Sequence, residues 1–138
     1  HTPGKALEEV ILGIIVSTGF VSNLVGIDLN TGLAHACYNG FTVCKSTEEH
    51  GHLHGEIVAY CILILLKVDH QEEEFQKIYE FSKNMGFPVK LADIHATLDD
   101  MDAVITKALS GIDVRVWPYE VTPDMILDAV KEIEQVAL

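Results

Sequence analysis

The sequence predicts an all-α fold, and three observations carry that prediction. Apolar residues recur at three- and four-residue spacing in several segments, and helix-start and helix-stop residues bracket those segments. The one stretch that alternates like a strand, Val114, Val116 and Tyr119, has no partner in the sequence to pair with. With 138 residues, 49% of them hydrophobic, the chain has the size of one domain and enough apolar surface to bury a core.

Each helix has its own signal. Thr2 and Pro3 form a start, and Leu7, Val10, Ile11, Ile14 and Ile15 make one apolar stripe, so a first helix runs to about Ser22. Residues 26–32, with Asp28, Asn30 and Thr31, break that pattern and offer a cap for a second helix over residues 32–43. His35 then sits in its first turns. A polar link over residues 45–51 leads to an apolar helix that begins near His54 and closes around Val68. Residues 57–66 are wholly apolar, but ten residues fall short of the about 20 needed to span a bilayer, so they read as a buried core helix. Asp69 is placed to cap the next helix, which carries Glu72, Glu73 and Glu74 in its first turn. Phe75, Ile78, Tyr79 and Met85 line one face, and Gly86 and Pro88 end it. Thr97 and Asp100 resemble a capping box with Asp in place of Glu or Gln, opening a helix that stops before Gly111. Thr122, Pro123 and Asp124 open the last helix in the same manner.

The formal charge of −12, from 9 Lys and Arg against 21 Asp and Glu, argues against nucleic acid or an anionic membrane as partner. Small polar substrates or other proteins fit better. Cys37, Cys44 and Cys61 form no CxxC pair, and their odd number without a secretion signal points to reduced, buried thiols in a cytosol. The first residue is His, and the chain opens directly into a helical pattern, which reads as the continuation of a longer protein.

Four of the seven histidines, His35, His50, His52 and His54, fall within twenty residues around one helix-loop-helix junction. Imidazole is a common ligand of zinc and also serves iron, so histidines at neighbouring helix starts can approach one ion from two sides. The spacing fits no standard zinc motif, and Cys37 and Cys44, seven apart, fit no finger. A catalytic site with three protein ligands is the natural metal reading. Its alternative is that His50 and His52 are solvated and His35 is a hydrogen-bonded residue near the core.

The segment Gly32-Leu33-Ala34-His35-Ala36-Cys37-Tyr38-Asn39-Gly40-Phe41-Thr42 is followed by His54-Gly55-Glu56-Ile57-Val58-Ala59, then by residues 86–94 and 118–123. In this order the four resemble segments of the glycerol dehydrogenase type, within the iron- or zinc-dependent alcohol dehydrogenase and dehydroquinate synthase-like superfamily. The resemblance covers nearly the whole chain. It implies that residues 1–138 are the helical, metal-binding C-terminal domain and that the nucleotide-binding N-terminal domain is absent from this chain. It assigns His35 and His54 as two ligands of the catalytic ion, zinc or else iron, while His50 matches a nearby family histidine that is not a ligand. The third family ligand, an Asp, would lie upstream of residue 1, since Asp28 is too close to His35 to match it. Tyr38 stands where many relatives have a second His, and the linker between the two ligands is slightly longer than usual.

The implied full-length protein is a cytoplasmic oxidoreductase that moves hydride from glycerol or a similar polyol to NAD, with the hydroxyl activated by the metal. This chain has no glycine-rich strand-turn-helix unit, so it is expected neither to bind NAD nor to be active by itself. It is expected to form a homo-oligomer and to bind neither nucleic acid nor membrane. Two other readings stand beside this one: a dehydroquinate synthase-like lyase, for which Lys45 and Lys67 are the only bases near the site, and a non-catalytic helical remnant or interaction module.

Overall fold

The computed structural model describes residues 4–25 and 31–137. The chain divides into two compact units, His1–Thr31 and Gly32–Leu138. Among the described residues there are helices and no strand, as the periodicity predicts.

Among its described residues the first unit holds one helix, α1 (Lys5–Leu24), which loosens into a π-helical turn at Gly13–Ser17. Gly4 is its N-cap, and the Thr2–Pro3 signal lies outside the described residues. The expected apolar stripe is present, but none of its residues is buried: Leu7, Val10, Ile14, Ile15, Phe20 and Leu24 are all exposed. By length and composition α1 is long and apolar enough to cross a membrane.

In the second unit, α2 (Leu33–Phe41) starts on Gly32 with no side-chain cap. The proposed caps Asp28 and Asn30 lie outside the described residues. The polar link is not wholly irregular, because Lys45–Glu49 forms a short helix, α3, with Glu48 in its first turn. The apolar helix α4 (His54–Val68) has the expected bounds. It packs on α2, on α5 (Glu72–Met85) and on α7 (Pro123–Gln135), which is why its sequence is apolar around most of its circumference. Tyr60, Cys61, Leu63 and Ile64 are completely buried, and the Phe41 ring meets Tyr60 edge-on at 6.1 Å.

One expectation is corrected. Asp69 does not cap α5: it closes α4, donating its N–H to the carbonyl of Leu65, and Gln71 is the N-cap of α5. The turn Asp69–Gln71 is too tight for Asp69 to serve both helices. The strand-like segment is a 3-10 turn at Ile112–Val114 followed by irregular chain, because no neighbouring strand offers it a ladder. Other signals hold. Gly86, at φ 75°, ends α5 with the Phe87 N–H reaching the Ser82 carbonyl at 2.9 Å. Asp100 accepts from the N–H and the hydroxyl of Thr97 at the turn leading into α6 (Met101–Leu109). The Thr122 hydroxyl accepts from the Met125 N–H at the start of α7.

Candidate metal centre

Two glycines set where His35 stands. A Cβ on Gly32 would lie 2.6 Å from the Trp117 ring, and one on Gly40 would lie 2.5 Å from the carbonyl oxygen of Val104. Both ends of α2 are therefore held at close approach, the first beneath Trp117 and the second against α6. His35, three residues into the helix, is half-buried between them. His54 is the first residue of α4 and is exposed. The helix start beneath it is fastened by Glu56, whose Oε2 accepts from the Leu53 N–H at 3.0 Å.

Because α2 packs directly on α4, the first turns of the two helices meet. The His35 and His54 rings lie 5.7 Å apart between centroids, tilted by 41°. Tyr38, one turn along α2 from His35, sets its ring edge-on against His54 at 4.1 Å. Two imidazoles that share one ion through nitrogens about 2.0–2.1 Å away hold their centroids about 5–6 Å apart. The separation of this pair falls in that range, and a donor set of imidazole nitrogens suits zinc or iron. Among the described residues no three His, Cys, Asp or Glu side chains gather closely enough to hold an ion by themselves.

The four histidines of the junction thus separate into two groups. His50 and His52 meet His95, a residue 43 positions further along the chain than His52. No spacing in the sequence marks His95: it follows the 3-10 turn Leu91–Ile94, at φ 57°. Its pKa lies below the ordinary imidazole value, through desolvation first and then the proximity of His50 and His52.

The cysteines are all free and buried, and burial pushes the Cys37 thiol up to about 12. They behave as core apolar residues and take no part in the site. Lys67, one of two bases near the junction, is committed to Glu72 at 2.6 Å and Glu132 at 3.5 Å, and lies over the Phe75 ring. Such a lysine is not free to receive a substrate phosphate.

No family model matches the chain. It is 29% identical over 130 residues to hydroxycarboxylate dehydrogenase A of Escherichia coli K12, covering 91% of this chain and 35% of that protein. It is 36% identical over 103 residues to a glycerol dehydrogenase of Citrobacter freundii, covering 70% of this chain and 27% of that protein. In three dimensions it matches the crystal structure of a probable glycerol dehydrogenase from Sinorhizobium meliloti with a TM-score of 0.81 and 26% identity, over 96% of this chain and 37% of that one. The chain spans about a third of the length of the curated relatives it matches.

Proposed function

Since the chain belongs to the glycerol dehydrogenase type of the iron-type alcohol dehydrogenase family, we propose that it is the metal-holding helical part of a cytoplasmic NAD-dependent polyol dehydrogenase. The observation that carries this reading is the meeting of His35 and His54 at the starts of two packed helices.

His35 and His54 would hold a divalent ion, zinc or iron, and when bound that ion supplies Lewis acidity toward a hydroxyl of glycerol or a similar polyol. The residues of this chain do the holding and orienting. Gly32 and Gly40 fix the axis of α2 and so the reach of His35, the Glu56 side chain anchors the first turn of α4, and the Tyr38 ring limits how His54 can swing. Two nitrogen ligands leave positions open for a further protein ligand and for substrate oxygens. The nucleotide that accepts hydride would be held outside this chain, so residues 1–138 alone are inactive and retain metal weakly. The exposed apolar side chains of α1 and a net charge of −12 favour assembly as a homo-oligomer over contact with nucleic acid or anionic membranes.

Titration of the chain with Zn2+, followed through the ring proton signals of the individual histidines, tests the reading. His35 and His54 should shift together, and His35→Ala should abolish the shift at His54. A His54 signal that moves equally in His35→Ala overturns the shared site.

A further inference from the structure

We propose that His50 and His95 form a pH-sensitive latch, which holds the linker over residues 50–53 against the turn over residues 91–96 and lets it go in mild acid. The two rings stack face to face, with centroids 3.6 Å apart and planes within 8°. His95 also meets His52, Nδ1 to Nε2 at 2.8 Å, in a hydrogen bond between rings whose centroids are 5.0 Å apart. One side chain thus grips the linker on both sides of Gly51. His95 reaches them from the left-handed region, at φ 57°, which His enters more readily than most residues.

The linker can move without taking its neighbours with it. Gly51 stands at φ 69°, and a Cβ there would meet nothing within 4 Å. Two contacts on either side do not depend on the latch. The buried Thr47 hydroxyl donates to the Ile94 carbonyl at 2.8 Å and ties α3 to the turn, and Glu56 holds the Leu53 N–H at the start of α4. Opening the latch therefore frees a short span between two fixed helices.

The stack senses protons because it accommodates one charge and not two. His50 Nδ1 donates to the Ser46 carbonyl at 2.6 Å, so Nε2 is the nitrogen that takes a further proton, with that bond intact. A second cation on His95, directly over the first, is repelled at close range. The groups that face His95 from the linker are His50 and His52, and Lys83 adds positive charge to the cleft that His52 lines. The carboxylates nearby are engaged elsewhere: Glu56 with the Leu53 N–H and with His52 Nδ1 at 3.6 Å, and Asp93 with the N–H groups of Val89 and Lys90 at 2.9 Å. Desolvation first, and then His50 and His52, hold the His95 pKa below the ordinary 6.5. A base depressed in this way supports the closed form fully above pH 6.5 and gives that support up as pH falls below it. The bond to His52 needs one proton between its two nitrogens, and it is lost only when His95 leaves the stack.

NMR of the intact chain from pH 8 to pH 5, without metal, tests the latch independently of the Zn2+ site. The NOE between the His50 and His95 rings should vanish in step with the titration of His95. Backbone order parameters of residues 51–53 should fall from about 0.85 to below about 0.6 while those within α4 stay constant. His50→Phe keeps an aromatic face on His95 without the charge and should leave the linker ordered at pH 5. His95→Asn, which suits the left-handed backbone, should leave the linker mobile at pH 8 as well as at pH 5. A ring contact that persists at pH 5, a linker that loosens equally in His50→Phe, or one that is ordered at pH 8 in His95→Asn overturns the latch.

Discussion

Gly40 and Val104 touch backbone to backbone: a Cβ on Gly40 would lie 2.5 Å from the Val104 carbonyl oxygen and 3.2 Å from Ala108 Cβ. A carbonyl inside α6 cannot move aside without breaking its own helix. Gly40→Ala gains about 1 kcal/mol of helix propensity but must push α2 from α6, and overpacking of that kind costs about 1–3 kcal/mol or more. The expected outcome is a lower midpoint of urea unfolding. Gly55→Ala, where a Cβ meets nothing within 4 Å, should raise it.

The thiols report on the core. Cys37 and Cys61 are 1% and 0% exposed, and burial raises the pKa of both. For Cys37 the folded value is about 12 against an ordinary 9.0. Its contribution to stability is thus complete below pH 9.0 and is lost as pH rises from there toward 12. Both thiols should resist iodoacetamide at pH 8 in the native protein and react at once in urea. Labelling at the free-thiol rate in native buffer would show that the helices around α4 open readily.

Lys90 fastens the end of the chain. It is buried, and its Nζ donates to the carbonyls of Ile133 at 2.5 Å and Val136 at 2.8 Å, the terminal acceptors of α7. Lys90→Met keeps the aliphatic stem but leaves those carbonyls without a charged donor, at an expected cost of about 1.5–3 kcal/mol. Faster amide exchange through the last turn of α7 is the measurement.

Tyr38 acts on His54 through its ring edge. Tyr38→Phe preserves that edge and should keep Zn2+ affinity. Tyr38→Ala frees His54 and should weaken Zn2+ binding about tenfold. Equal affinity in all three proteins, with unchanged helicity, would remove Tyr38 from the site.

A chimera tests the activity. Residues 1–138 placed in the matching stretch of the Sinorhizobium meliloti protein should support NAD reduction by glycerol, and His54→Ala should lower kcat/KM by about 100-fold or more, as loss of a metal contact does. A chimera in which His54→Ala is as active as its parent would refute the assignment of His54.

The helices were legible where their signals are local. The all-α class, the bounds of α4, the glycine stop of α5, and the Thr122 cap all follow from residues within one turn of each other. Asp69 misled because a residue between two helices can close the first as readily as open the second, and the sequence does not say which. The absence of burial along α1 was equally hidden, since periodicity shows that a stripe exists and not what covers it. His35 and His54 could be named from motif order, and their rings meet because α2 and α4 pack on one another across the short α3. His95 could not, because it joins His50 and His52 through a turn whose position depends on the whole unit.

The pairing of α2 with α6 has a consequence for how this chain is made. The ribosome releases the Leu33, Cys37 and Phe41 face of α2 long before α6 exists, since about 60 residues separate Gly40 from Val104 and translation runs at about 5–20 residues per second. For several seconds α2 and α4 can form only a helical hairpin with an open apolar side, so the nascent chain is a ready client for chaperones. The closure that finally seats Gly40 against Val104 is the step at which it stops being one.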